Sequence, residues 1–420
     1  MDAAGFAAVG EELDAFAGQV FSSLLRSDQR ATAGVYLRGL MLDGRRKSMQ
    51  PMAARLGVDH QRLQQFITNS PWDVVPVRRT LARLAIQAIE PQAWVVDDTG
   101  QAKEGTESAC VARQYSGTMG KIGNCQVAVS VHAVTDKASA PLDWRLFMPV
   151  SWDDRSASTE ESAAEVRRRR RRCQIPDTQH HRPKWQLALE MIDDLLALGH
   201  RPPVVVADAG YGDTTAFRLA LTERDLDYVL AIKGTTSAHP ADAVPVTPAR
   251  TPGRGRPPGP SYPDPPSNCK DLIMAAGRSA RRKVTWRRGT RTGPTNRTAA
   301  MRSEFTALRI RPANRDIPRA DDGTLPEQWL IAEWPAGAPE PTDYWLASLP
   351  ANTPMSTMVR LAKIRWRIEH DYRELKTGVG LDHFEGRSWT GWHHHATLVT
   401  AAHVFLTWLR MTNLKASGQA

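Results

Sequence analysis

Residues 204–207, VVVA, are four consecutive apolar positions without polar alternation, followed at once by Asp208 and then by glycine at 210 and 212. A run this short cannot make a useful helix and reads as a strand buried on both faces. Before it, residues 184–198 place Leu187, Met191, Leu195 and Leu198 on one helical face; after it, residues 214–221 predict a helix and residues 228–232, YVLAI, a strand. Helix, buried strand, helix and strand in succession define an α/β chain. Upstream, residues 94–96 form a β-rich run ending in Asp97 and Asp98. Residues 126–134 alternate Val127, Val129 and Val131 with smaller or polar residues, and residues 144–150 offer a further strand.

Around this centre the texture divides the 420 residues into four pieces. Residues 1–88 carry Leu24, Leu25, Tyr36, Leu37, Leu40 and Met41 at helical spacing. Within them PMAARLGVDHQRLQQF, residues 51–66, predicts a helix, a turn at Gly57 and a second helix capped by Asp59. That outline fits a helix-turn-helix exposing His60, Gln61, Gln64 and Gln65 to base edges, and equally an ordinary helical hairpin. Residues 89–234 hold the first part of the α/β core. Residues 235–353 predict a β-rich insertion with strands at 305–310, 329–334 and 344–349. The insertion opens on a linker whose segment RGRPPGPSYPDPP, residues 254–266, cannot sustain helix or sheet. Residues 354–420 return to helix, ending in one from about 392 to 411.

Composition narrows the function classes. Lys plus Arg is 55 against 45 Asp plus Glu, a formal charge of +10, which favours a polyanionic partner such as nucleic acid. The longest nearly apolar run, residues 396–409, is interrupted by His403 and too short to span a bilayer. The acidic N-terminus, with Asp2, Glu11, Glu12 and Asp14, is unlike a secretory signal. Four dispersed cysteines suggest neither a disulfide framework nor a zinc site, consistent with a reducing cytoplasm. Residues 167–172 are six consecutive arginines, read as a solvated basic loop suited to phosphate contact. Residues 393–395, three histidines, diverge in direction on a helix and cannot share one ion, so an exposed helix start is expected there.

Asp97 and Asp208 both follow apolar strand residues. A turn or helix cap is the commoner fate of such an aspartate. Two from neighbouring strands would instead suit a hard divalent cation such as Mg2+. Asp98 competes with Asp97, and strand alternation turns the two to opposite faces. A third acid is sought in LAKIRWRIEHDYRELK, residues 361–376. On one continuous helix Arg365, Glu369 and Lys376 fall within about 40° of one another, beside an apolar stripe of Leu361, Ile364, Ile368, Tyr372 and Leu375. An Arg–Glu–Lys stripe is also what a surface salt-bridge ladder looks like.

Together these residues resemble a known family. WVVDDTGQAKEGTESACVARQYSGTMGKIGNCQ at 94–126, VVVADAGYG at 204–212 and IRWRIEHDYRELKTGVGLDHFEGRSWTGWHHH at 364–395 are similar to the DDE transposases of bacterial insertion sequences, nearest the insertion sequence 701 family and related to the insertion sequence 4 group. SMQPMA at 48–53 and the pattern Trp286, Gly289, Thr290, Phe305 and Arg309 extend the likeness along most of the chain. The resemblance implies an RNase H-like catalytic core with a β-rich insertion, preceded by a helical DNA-binding region. It implies Asp97, Asp208 and Glu369 as the metal-binding acids, with Arg365 and Lys376 near phosphate and Trp286 stacking on an unpaired base. The family's signature tyrosine would fall on Ala362, a departure, with Tyr372 as a replacement on the same helical face.

Such a protein is expected to use two Mg2+ ions, with Mn2+ as a substitute, for in-line displacement at phosphodiesters. Its partners would be double-stranded DNA, as transposon inverted repeats and target, and a second copy of itself on paired ends. It would act in the cytoplasm at the nucleoid, without a membrane. Two other classes remain open at this level: a transposase-derived DNA-binding protein that no longer cuts, and an RNase H-like structure-specific nuclease.

Overall fold

The computed structural model describes residues 3–117, 120–248, 259–287 and 300–416. It separates into two compact units, one of residues 1–201 with 366–420 and one of residues 202–365.

The first unit opens with five helices: α1 (Ala3–Val20), α2 (Ser27–Met41), α3 (Met49–Leu56), α4 (His60–Thr68) and α5 (Val74–Ile89). α3 stops where Gly57 takes the left-handed conformation, φ 66°, and α4 starts where the Asp59 carboxylate accepts from the Gln61 N–H. Both devices are those expected from the sequence, since glycine enters that region without a Cβ penalty and aspartate satisfies an orphan helix donor. α4 buries Leu63, Phe66 and Ile67, a contribution of about 1.5–3 kcal/mol per side chain, and leaves Gln61, Gln64 and Gln65 exposed.

Four strands follow: β1 (Ala93–Ala102), β2 (Ala112–Ser116), β3 (Lys121–Val134) and β4 (Ser139–Leu146). β3 pairs antiparallel with β1, β2 and β4. β1 runs on well past the aspartates, so Asp97 lies mid-strand and not at a strand end as expected. α6 (Glu160–Arg172) and α7 (Lys184–Ala197) come next. The arginine run is therefore helical, contrary to the expected loop: Thr159 and Ser162 form a capping box, and the acids and carbonyls around α6 hold its arginines. Arg170 is buried on Asp154 and on the carbonyls of Pro176 and Gln179, Arg168 pairs with Glu165, and Arg169 lies over the Trp152 ring.

The second unit holds β5 (Val205–Ala207), the short α8 (Ala209–Gly212), α9 (Thr215–Glu223) and β6 (Tyr228–Ile232). β5 and β6 pair in parallel. Gly212 is fixed by this crossover, because a Cβ there would lie 1.9 Å from the Ala231 carbonyl oxygen of β6. The insertion adds β7 (Ser237–Pro240), β8 (Ser267–Asn268), α10 (Cys269–Ala276), β9 (Arg282–Arg287), β10 (Met301–Pro312), β11 (Gln328–Glu333), β12 (Asp343–Ala347) and then α11 (Met355–Lys363). β12 pairs antiparallel with β6, and β11 and β10 continue outward, so the insertion extends the sheet begun by β5 and β6. Its core gathers Ile232, Cys269, Ile273, Ile310, Leu330, Trp334 and Leu346. Gly289 and Thr290, part of the insertion pattern, lie outside the described residues.

The chain then re-enters the first unit with α12 (Trp366–Arg373), a π-helical turn (Glu374–Gly378) and α13 (Trp389–Ala416). The order along the chain is an antiparallel meander, helices, a parallel β-α-β crossover, and a helix after a β-rich insertion. It is that of a mixed α/β chain, as expected. Among the described residues no helix is long and apolar enough to cross a membrane.

Candidate active site

In the antiparallel β1–β3 ladder Asp97 lies opposite Ser130, and Asp98 opposite Val129. Directly opposed residues point to the same face. The Ser130 Oγ meets the Tyr372 hydroxyl of α12 at 2.8 Å, so Asp97 belongs to the face on which α12 packs. Asp98 belongs to the other face, where its carboxylate pairs with Lys184 of α7 at 3.0 Å. The choice between the two aspartates, open in the sequence, thus has a geometric basis. Asp97 is 6% exposed, and one of its carboxylate oxygens accepts from the Asp98 N–H.

α12 carries Glu369, which is exposed, one turn before Tyr372. The continuous helix expected over residues 361–376 is interrupted: α11 ends at Lys363, Ile364 and Arg365 form a turn, and the backbone becomes π-helical from Glu374. Arg365, half-buried in that turn, and Lys376, in the π-helical segment, therefore do not share one regular helical stripe with Glu369. Lys376 is buried and donates to the Gly100 carbonyl of β1 at 2.7 Å; burial pushes its pKa down. Tyr372 is buried with its hydroxyl on Ser130, which commits it beneath the sheet and not at a phosphate.

Under α12 runs a buried polar chain that the sequence reading did not anticipate. His132 Nδ1 faces Asp371 Oδ2 at 3.1 Å, and its Nε2 faces Ser130 Oγ at 3.0 Å. Burial drives the His132 pKa down. Burial is the largest single influence on Asp371 and would raise it, but the hydrogen bonds from His132 and Ser139 and the nearby His403 and His132 rings together outweigh it, and the net shift is downward. A neutral His132 thus gives its Nδ1 proton to ionised Asp371, accepts from Ser130, and Ser130 accepts from Tyr372. Ser139 donates to Asp371 Oδ1 at 2.6 Å, and Arg367 donates to Ser139. These bonds clamp the helix bearing Glu369 to the sheet bearing Asp97. Only the spacing of Ser130 and His132, two apart on a strand, could have hinted at it.

In the second unit Asp208 is half-exposed and caps α8, its Oδ1 accepting from the Gly210 N–H at 2.9 Å. Trp286 on β9 is half-buried, with the Lys363 ammonium 5.6 Å from its ring centroid. Arg309 pairs with Glu327 and lies over the Trp329 ring. The three acids offer only carboxylate oxygens, without thiol or imidazole, a donor set that fits Mg2+ or Mn2+.

The three histidines at 393–395 are not an exposed helix start. All are buried, because α13 is covered on every side from 391 to 405. His393 accepts from Arg78 at 3.0 Å. His394 meets the carbonyls of Ile67 and Trp72 and stacks on the Trp72 ring. His395 Nε2 donates to the Gly380 carbonyl, leaving Nδ1 to accept from the Tyr36 hydroxyl. Beside α4, a groove is lined by His60 and Gln64 together with Gln50, Arg172 and Arg387.

Residues 19–293 match the DDE superfamily endonuclease family. They are more than half of the chain, and the protein belongs to that family. Over 220 residues it is 31% identical to the probable transposase for insertion sequence element IS701 of Microchaete diplosiphon; the match covers 51% of this chain and 52% of that relative, so it spans about half the relative's length. Among solved structures, the piggyBac transposase synaptic complex with hairpin DNA aligns with 94% of this chain and 68% of its own at 12% identity, with a TM-score of 0.39. Asp97 and Asp208 fall inside the family match, and Glu369 lies beyond it.

Proposed function

We propose that this protein is an insertion-sequence transposase that binds the inverted repeats of its own element, cuts phosphodiesters at the ends and joins them to target DNA. The observation that carries the reading is the packing of α12, the helix of Glu369, on the Asp97 face of β1. Together with family membership it supports the reading of Asp97, Asp208 and Glu369 as the acids. These three would hold Mg2+, or Mn2+ in its place, as a pair of ions. When bound, the metal pair supplies charge neutralisation at the attacking and leaving oxygens.

The chain's own residues do the rest. The His132–Asp371 clamp fixes the direction from which Glu369 approaches, and Lys376 ties the π-helical turn to β1. Arg365 contributes positive charge near phosphate, and Trp286 presents part of its ring for stacking on an unpaired base. Recognition of the ends falls to α4, whose Gln61, Gln64 and Gln65 are exposed beside the groove that Arg172 and Arg387 make basic. A second copy would hold the other end, and the protein would work at the nucleoid.

Two assays test this on a duplex carrying the element's end. Asp97→Asn, Asp208→Asn and Glu369→Gln should each retain specific binding while losing cleavage by about 100-fold or more at any Mg2+ concentration, since carboxylate geometry tolerates little displacement. Replacing Gln61, Gln64 and Gln65 together by alanine should weaken specific binding and leave folding intact. Cleavage near the wild-type rate by Glu369→Gln would remove Glu369 from the site. If all three acid variants still cut, the assignment fails as a whole. Specific binding without cleavage by the wild-type protein would favour a transposase-derived binding protein.

A further inference from the structure

Asp371 and Glu374 belong to a second cluster on the far side of α12 from Glu369. At 100° per residue, Asp371 lies about 200° around the helix from Glu369. One ligand atom each from His370, Asp371 and Glu374 lie within 4.8 Å of one another. Into this cluster from α13 comes His403, 2% exposed, whose two ring nitrogens make no hydrogen bond. Its Nε2 is 3.4 Å from Glu374 Oε2 and 3.9 Å from Asp371 Oδ1. The Nδ1 of His370 is likewise buried without a hydrogen bond and sits 3.7 Å from Glu374 Oε1.

The two separations from His403 Nε2 are too long for good hydrogen bonds but near the spacing of two ligands of one ion, while His370 faces the other oxygen of Glu374. Two donors at about 2.1 Å on a tetrahedral metal are about 3.4 Å apart. A buried imidazole with neither nitrogen satisfied costs desolvation energy that a metal would offset. We propose that His370, Asp371, Glu374 and His403 form a binding site for a first-row transition-metal dication of the zinc class. Two imidazoles and two carboxylates favour Zn2+, Co2+ or Mn2+ over Mg2+ and Ca2+, which prefer oxygen alone. Asp371 is oriented for this by His132 and Ser139, each of its oxygens keeping a second lone pair. Arg410 lies 3.2 Å from Glu374 Oε1, leaving Oε2 as the ligand atom.

In the other comparable group, Asp153, Asp154 and His180, the acids are already engaged: Asp153 accepts from His180 and from the N–H groups of Arg155 and His181, and Asp154 pairs with Arg170, so that only the His180 Nε2 lacks a partner. In the His403 cluster the ion would staple α12 and the π-helical turn to α13. This site is independent of the catalytic reading.

The test uses the full chain, stripped with a chelator and titrated with Co2+, followed by visible absorption and elemental analysis. One Co2+ per chain with the spectrum of mixed nitrogen and oxygen ligation is expected, beyond any Co2+ held by the all-oxygen set of Asp97, Asp208 and Glu369, with displacement by Zn2+. Asp97→Asn should leave the spectrum unchanged, whether or not the protein cuts DNA. Glu374→Gln, at a half-exposed position, should weaken binding by about ten-fold or more, and His403→Gln should abolish the spectrum. Equal Co2+ affinity in the wild type and Glu374→Gln overturns the proposal. So does an unchanged spectrum in His403→Gln, or the absence of any such spectrum in the wild type. If His403→Gln does not fold, as judged by circular dichroism, Glu374→Gln alone decides.

Discussion

Asp97 and Asp98 are adjacent, chemically identical and turned to opposite faces by the pleat of β1. The sequence made clear that one of them faces away, but not which. The missing information was the cross-strand partner: Ser130 leads to α12, whereas Val129 lies on the face where Lys184 of α7 waits. Asp98→Asn should therefore keep cleavage within about two-fold of wild type and cost under about 1 kcal/mol of stability in a denaturant melt, because the Lys184 pair is partly solvated. Loss of cleavage in Asp98→Asn with retention in Asp97→Asn would reverse the assignment. Lys376 shows the opposite limit of sequence reading. The family resemblance implied a phosphate contact for it, yet its ammonium donates to the Gly100 carbonyl, since the π-helical turn carries it inward against β1.

The elements were legible where period decides. α7, β6 and the αL stop of α3 follow from patterns of apolar spacing and from Gly57. The break at Ile364 and Arg365 was not, because no proline or glycine marks it. The histidine run and Arg170 depart from the expectation for one reason: exposure was inferred from polarity, whereas the three rings meet partners supplied from far along the chain and Arg170 is buried on Asp154, while Arg168, Arg171 and Arg172 are exposed as expected. The histidine layer has a measurable consequence. Burial lowers His395 to about 4, and burial followed by Arg78 lowers His393 well below the ordinary range. A folded-state pKa below the unfolded value of about 6.5 gives stability that is present above pH 6.5 and lost as pH falls toward 4. Thermal melts should show Tm falling steadily from pH 7 to pH 4.5. His395→Gln, which cannot gain the proton, should flatten that slope. A pH-independent Tm in the wild type would contradict the placement of these rings.

For the molecule as a whole, class and chain order were readable, and long-range pairing was not. The insertion was expected to be β-rich, but nothing local shows that β12 takes its register from β6. Nor does the sequence show that α13 is sealed by the N-terminal helices through Tyr36, Ile67 and Trp72. Removing residues 1–88 would delete α4 and also uncover α13, so recognition is better probed by substitutions on α4. What the account rests on is that Asp97, Asp208 and Glu369 act as one metal-binding set. Anomalous diffraction from crystals of the full chain soaked in Mn2+ measures this without depending on activity. The account predicts Mn2+ peaks coordinated jointly by those three carboxylates, whatever ion occupies the His403 cluster. Peaks found only elsewhere, with the Glu369 carboxylate bound to no metal, would contradict it.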